Sequence, residues 1–105
     1  MTEKTKNFDK ALNAYQKAED LMVKAIEKEC RSILKTTKTR QNTMIMFEDP
    51  IIAEGRELNG LWFDEVNNVV IGMGKVDEMS VAYASIDVLF RICHILKNQA
   101  FYLIS

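Results

Sequence analysis

The first third of the chain carries one apolar stripe at helical spacing. Between residues 8 and 34, apolar residues recur at steps of three and four, which places them on one face of an α-helix. The stripe consists of Phe8, Ala11, Leu12, Tyr15, Ala18, Met22, Ala25, Ile26, Cys30 and Ile33. Charged side chains occupy the opposite face. The pattern therefore predicts a long amphipathic helix whose charges face solvent.

The middle of the chain predicts a three-stranded antiparallel meander. Residues 43–48 form an apolar run that Asp49 and Pro50 close, which favours a strand over a helix. Residues 51–60 lack a clear period and are interpreted as a connection, with a short extra strand at 51–53 left open as an alternative.

A hairpin is predicted around Asn67 and Asn68, because asparagine tolerates the positive φ angles of a two-residue turn. Residues 61–66 and 69–73 are its strands. That turn sets Val66 opposite Val69 and Phe63 opposite Gly72, and it leaves both faces of the hairpin largely apolar.

Residues 79–103 again follow helical spacing, with Asp77 as the predicted N-cap. A second apolar set lies beside the first, so only a narrow stripe of this predicted C-terminal helix is polar. The charges within it exclude a membrane span of about 20 apolar residues. We therefore expect a long apolar helix that must be covered on two sides.

These elements predict one α+β domain over residues 1–105. A single amphipathic helix cannot cover both the sheet and the final helix, so either the second sheet face or the outer arc of the final helix stays bare. The expected remedy is a homodimer that buries the final helix. The alternative is a sheet twisted enough for the two helices to cover everything.

Composition and charge narrow the function classes. The chain has 105 residues, 48% hydrophobic and 28% charged, with four Gly and one Pro, which excludes collagen-like and disordered chains. A net charge of -1 gives no bulk reason to expect nucleic acid or an anionic membrane as partner. The polar first ten residues lack a secretory signal, so a cytoplasmic location is expected.

Charge is nevertheless uneven along the chain. Residues 1–47 hold ten basic and six acidic side chains, a balance of +4, whereas residues 48–79 hold two basic and eight acidic, a balance of -6. Contact with nucleic-acid phosphates is one interpretation, but interleaved aromatics and a groove-reading helix are lacking. Attraction between the two segments, within or between copies, is the preferred interpretation.

The two cysteines, Cys30 and Cys93, lie far apart at apolar helical positions, which argues against a disulfide framework. A metal site from Cys30, Cys93 and His94 would lack a fourth ligand, so buried thiols are preferred and no cofactor is expected. The segment from Gly72 to Lys75 resembles a phosphate-binding loop only weakly, because its spacing fails and Asp77 follows.

Two groups of polar residues are candidates for a ligand site. Asp87, Arg91 and His94 share one helical face, where the aspartate could orient the histidine, although an ordinary ion pair is the preferred interpretation. Asp64 follows Trp62 on a face expected to be buried, and could line a pocket with Trp62 and Tyr83. The preferred interpretation places Asp64 at the sheet periphery or in an ion pair with Arg56 or Arg91.

The leading functional hypothesis is a non-catalytic interaction or regulatory module that assembles through its apolar C-terminal helix. The alternative is a small-molecule-binding domain or minor enzyme with a site near Asp64, Asp87 and His94. Convergence of those side chains in a concave pocket would favour the alternative, and an open position for His94 would favour the module.

Overall fold

The computed structural model describes residues 3–35 and 43–105, with side chains of the first helix described from Lys6 onward. Its elements are α1 (Glu3–Lys35), β1 (Met44–Ala53), β2 (Arg56–Asp64), β3 (Val69–Gly74), β4 (Glu78–Ser80), a 3-10 turn (Val81–Tyr83), α2 (Ile86–Lys97) and β5 (Phe101–Ile104). The predicted α+β class and the long N-terminal helix are confirmed. The predicted three-stranded meander is instead a five-stranded antiparallel sheet in the order β4-β3-β2-β1-β5.

A hairpin lies where residues 51–60 were predicted to be a connection. Ala53 pairs with Arg56, and the two residues between them, Glu54 and Gly55, have φ angles of 52° and 74°. Two positive φ angles in a two-residue loop match the twist of antiparallel strands. The Glu54-Gly55 dipeptide was the local signal for this turn.

Strand β1 continues through Pro50, which the sequence interpretation had placed at its end. The pairing of β1 with β2 shifts between Met46 and Ile51, so Pro50 lies in a bulge. Strand β5 pairs only with Met44 to Phe47 of β1. Pro50 is tolerated because this part of β1 is an edge that needs no amide donor.

The register of the β2–β3 hairpin differs by two residues from the prediction. Asp64 pairs with Val69 and Leu61 pairs with Gly72, so residues 65–68 form a four-residue loop. Because side chains alternate between faces, a shift of two keeps every residue on its predicted face. Leu61 and Phe63 are buried as that face assignment requires.

A C-terminal helix is present, but it is shorter than the apolar helix predicted over residues 79–103. Strand β4, the 3-10 turn, α2 and β5 divide this segment. The Ser85 side chain accepts a hydrogen bond from the Val88 amide at the start of α2, whereas Asp77 lies before β4. Helix α2 ends at Lys97, and Gln99 adopts a φ of 54° that turns the chain into β5.

Helices α1 and α2 pack together on one face of the sheet. The core between them consists of Ile26, Cys30, Leu34, Ile45, Phe47, Ile51, Leu61, Phe63, Val70, Val81, Ala84, Val88, Leu89, Ile92 and Leu96. Arg31 of α1 lies 5.3 Å from the centre of the Phe63 ring, which fixes α1 above this face. No helix in the described ranges is long and apolar enough to cross a membrane.

Helix α1 extends beyond the rest of the molecule. Its 33 residues span about 50 Å at 1.5 Å per residue, close to the longest dimension of the structure, 56 Å. Every residue from Lys6 to Lys17 is exposed, whereas Ile26, Cys30 and Leu34 are buried. We call residues 6–20 the overhang.

Candidate functional site

The Asp64 carboxylate organises the β2–β3 loop. Its Oδ1 accepts hydrogen bonds from the amides of Val66 (3.0 Å) and Asn67 (3.2 Å), and its Oδ2 accepts one from the Asn67 side chain (2.7 Å). These bonds, led by that from the Asn67 side chain, lower the pKa of Asp64. The position corresponds to the sheet periphery that the sequence analysis preferred, and the arrangement is a loop cap.

The Asp87, Arg91 and His94 group lies on α2. Arg91 contacts Asp87 at 3.2 Å, the ion pair that their spacing predicted, and also donates to the Ile52 carbonyl at 2.9 Å. That carbonyl belongs to the part of β1 that β5 does not cover. Arg91 thus ties α2 to the β1 edge.

His94 is exposed, and its ring centre lies 4.6 Å from that of Phe90. It borders an open depression together with Pro50 and Ile95. Ile51, which also borders this depression, pairs with Leu58 of β2. Asp64 is six residues further along β2, so it lies about 20 Å from Leu58 at the other end of the strand. The structure therefore does not bring Asp64 and His94 into one pocket.

Trp62 and Tyr83 are also apart from that helix face. The strand register places Trp62 on the sheet face opposite the helices, and Tyr83 is largely exposed in the 3-10 turn. None of the five candidate residues Trp62, Asp64, Asp87, Arg91 and His94 lines the cleft described below.

A cleft of about 380 Å³ lies beside the β1–β2 turn and was not predicted. Ile51, Leu58, Met79 and Val88 contribute apolar side chains to it. Its acidic side chains are Glu19, Glu54, Glu57 and Asp77, and Asp77 pairs with Arg56. These residues come from α1, β1, β2, β4, α2 and two of the connections between strands, so no local pattern could have indicated the cleft.

The two thiols are free. Cys30 is buried on α1, and burial raises its pKa to about 12, while burial also raises the pKa of Cys93 on α2. Such thiols are protonated and weakly nucleophilic at neutral pH. Within residues 3–35 and 43–105, no group of three His, Cys, Asp or Glu side chains could hold a metal ion.

The glycine-containing segment from Gly72 to Lys75 does not precede a helix. Gly72 and Gly74 belong to β3, and β4 follows after a short turn in which the Gly74 amide donates to the Asp77 carbonyl at 2.9 Å. A phosphate-binding loop needs the free amides of a helix N-terminus. The segment lacks that helix.

Apolar side chains cover the sheet face opposite the helices, which we call the outer face. One row across the strands contains Ile104, Met44, Trp62, Ile71 and Ser80, and the next row contains Tyr102, Met46, Gly60, Met73 and Glu78. Of these residues Glu78, on the short edge strand β4, is the one that carries a charge. An antiparallel sheet that faces water on one side normally alternates apolar and polar residues, so this face differs from a solvated one.

Comparisons of the chain with protein-family models, with curated proteins and with solved structures found no match.

Proposed function

We propose that this protein is a non-catalytic interaction module that forms a homodimer through the outer face of its sheet. The two rows on that face, which are uncharged across β5, β1, β2 and β3, carry the proposal. This surface replaces the C-terminal helix of the sequence hypothesis, because Val88, Leu89, Ile92 and Leu96 of α2 already pack inside the protomer. The apolar surface that is free for assembly is therefore the outer face, on the side of the sheet opposite α2.

A second copy fits this face for geometric reasons. Both described helices lie on the opposite side of the sheet, so neither helix obstructs the approach of two copies outer face to outer face. Sheets pack face to face at about 10 Å, and a two-fold axis makes the same patch serve both partners. Within the two rows the charge of Glu78 lies at the β4 edge, so the centre of the face presents no like charges to an identical surface.

The size of the face sets the expected affinity. Five strands spaced about 4.8 Å apart and about six residues long cover roughly 480 Å² per copy. Stable complexes bury about 800 Å² per partner, so this contact falls at the weak end. We expect a dissociation constant of about 1 µM or weaker, and hence a concentration-dependent dimer.

Trp62 provides the test, because it is the only tryptophan and lies in the first row. On dilution from about 100 µM to below about 1 µM, its emission should shift to longer wavelength as the dimer dissociates and water reaches the ring. Sedimentation velocity over the same range should show a falling mass.

The variant Ile71→Lys places a charge in the same row and should remove the outer-face contact, so that the shift of Trp62 emission on dilution is lost. Tyr102→Lys is a second disruptive variant on the edge strand, in case Ile71→Lys weakens folding. Val76→Lys is the control, since Val76 is 94% exposed in the loop before β4. Trp62 emission that still shifts on dilution in both outer-face variants would contradict the proposal.

The ligand-site alternative near Asp64, Asp87 and His94 has weaker support. The Asp64 carboxylate is engaged by its own loop, and Asp87 is paired with Arg91. Titration of a metabolite library monitored by thermal shift, compared between wild type and His94→Ala, tests this alternative directly.

A further inference from the structure

The overhang continues the stripe by which α1 packs on the rest of the protein. Phe8 and Ile26 are 18 residues apart, which is five full turns at 100° per residue, so both lie on the same side of α1. Ile26 is 1% exposed, whereas Phe8 is 62% exposed. Leu12 and Cys30 have the same relation. One half of the stripe is buried and the other half is bare.

The protomer cannot cover the bare half itself. Helix α1 is continuous from Glu3 to Lys35 and contains neither Gly nor Pro, so no hinge folds the overhang back. Phe8 lies about 16 Å along the helix axis from Glu19, which borders the cleft at the end of the sheet. Within the part of the chain that the structure describes, any cover for Phe8 must come from another molecule.

The bare stripe alternates large and small side chains with a seven-residue repeat. Phe8 and Tyr15 are the large members, and Ala11 and Ala18 are the small ones. A seven-residue repeat returns to nearly the same side of a helix and is typical of paired helices. Lys6, Lys10 and Lys17 lie about 120–160° around the helix from Leu12, away from the stripe.

We propose that the overhangs of two copies pair antiparallel. The two-fold axis crosses the pair at the height of residue 13 along each helix. In this register Phe8 of each copy lies over Ala18 of the other, and Tyr15 lies over Ala11. Each large side chain thus meets a small one, as in knobs-into-holes packing. Leu12 sits beside the axis in both copies and loses its contact with water.

The position of the sheet excludes a parallel pair. In each copy the sheet lies on the stripe side of α1, next to Ile26 and Cys30. Two parallel helices with facing stripes would bring both sheets into the same space, whereas an antiparallel pair sends them to opposite ends. The antiparallel arrangement also points the two helix dipoles in opposite directions, so that they attract each other.

This contact is independent of the proposed outer-face dimer, because α1 lies on the opposite side of the sheet. Two different two-fold contacts on one chain build assemblies larger than a dimer. Ile71→Lys removes only the outer-face contact, so it is the background in which the helix contact is measured.

Sedimentation velocity on the Ile71→Lys protein should still show a dimer. Adding Leu12→Lys should weaken that dimer about tenfold or more, because the buried Leu12 contact is lost. Adding Leu21→Lys should have no effect. Leu21 is nine residues from Leu12, which is two and a half turns, so it lies on the opposite side of the helix. The two leucines are matched in exposure, 66% and 69%.

Three outcomes separate this proposal from the proposed function. A monomeric Ile71→Lys protein beside a dimeric wild type would overturn the helix pair and leave the outer-face dimer standing. A monomeric wild type at about 100 µM would overturn both. Equal weakening by Leu12→Lys and Leu21→Lys would also overturn the helix pair, since it would show that the stripe is not involved.

Oxidative crosslinking tests the register without relying on affinity. A Phe8→Cys protein mixed with an Ala18→Cys protein should form a mixed disulfide dimer, whereas neither variant should crosslink to itself. A Phe8→Cys protein that readily crosslinks alone would indicate a parallel pair and overturn the proposal. Wild type, which retains Cys30 and Cys93, is the control for background oxidation, and circular dichroism verifies that each variant remains folded.

Discussion

At the scale of single residues, Asp64 shows how a polar side chain can belong to a turn and not to a ligand site. Its carboxylate satisfies two backbone amides that have no partner in the strand ladder. Short polar side chains compete with regular pairing in this way. The competition explains why the loop takes four residues and why Val66 is almost fully exposed.

We expect Asp64→Ala to accelerate hydrogen exchange at the Val66 and Asn67 amides. The pKa of Asp64 is lowered in the folded state, so its stabilising contribution is complete above its ordinary value of 3.8 and is lost as pH falls through the lowered value. Exchange measured by NMR between about pH 3 and pH 6 tests both points. Asp49→Ala, at an exposed residue of the bulge, is the control. Unchanged exchange at both amides in Asp64→Ala would contradict this role.

Cys30 leads to a prediction of opposite sign. Burial raises its pKa to about 12 from an ordinary value of 9.0, so the folded protein holds this proton more tightly than the unfolded chain. Its contribution is complete below pH 9.0 and is lost as pH rises towards 12. Urea denaturation should therefore show a shallower alkaline loss of stability in Cys30→Ala than in wild type.

The same burial should protect Cys30 from thiol reagents. At pH 8 we expect Cys30 to react only when the protein unfolds, whereas the partly exposed Cys93 reacts directly in Cys30→Ala. Fast labelling of Cys30 in a Cys93→Ala protein under native conditions would show that its part of α1 is not packed as described.

At the scale of elements, periodicity alone predicted α1 because nothing in that segment competes with the helix. In residues 79–103 the same spacing was misleading. Ser85 starts a new helix through its side chain, and the Gln99 and Ala100 amides close α2 by bonding to the carbonyls of Leu96 and Ile95. These caps are local polar interactions that an apolar count does not register.

The end of α2 yields a stability prediction. The closing bonds place Gln99 in the left-handed region with a φ of 54°, where glycine is usual. Gln99→Gly should therefore stabilise the protein by about 1 kcal/mol in urea denaturation. Gln16→Gly is the matched control, because Gln16 is exposed in the interior of α1 and should lose about 1 kcal/mol. Destabilisation by both substitutions would argue against this helix end.

The candidate site was predictable only where it depends on local spacing. The Asp87–Arg91 pair follows from a separation of four residues on one helix. The bond from Arg91 to the Ile52 carbonyl was not predictable, because it exists only where β5 leaves the β1 edge uncovered. The placement of Asp64 depended on the loop length, which the asparagine pair did not determine.

At the scale of the whole molecule, the expected surplus of apolar surface has moved from the C-terminal segment to two other places. Helix α2 buries Val88, Leu89, Ile92 and Leu96 within the protomer, while the outer face and the overhang remain uncovered in the described residues. The amount of excess apolar surface could be counted from the sequence. Its location could not, because it depends on which face of the sheet the helices pack against.

The sheet also restricts how copies can join. Its terminal strands are short, three residues in β4 and four in β5, and the rest of the β1 margin carries Pro50 and the Arg91 bond to Ile52. Few backbone donors and acceptors are left to recruit a further strand sideways. Lateral growth into amyloid-like ribbons is thus discouraged by the backbone itself, and self-recognition is left to side chains.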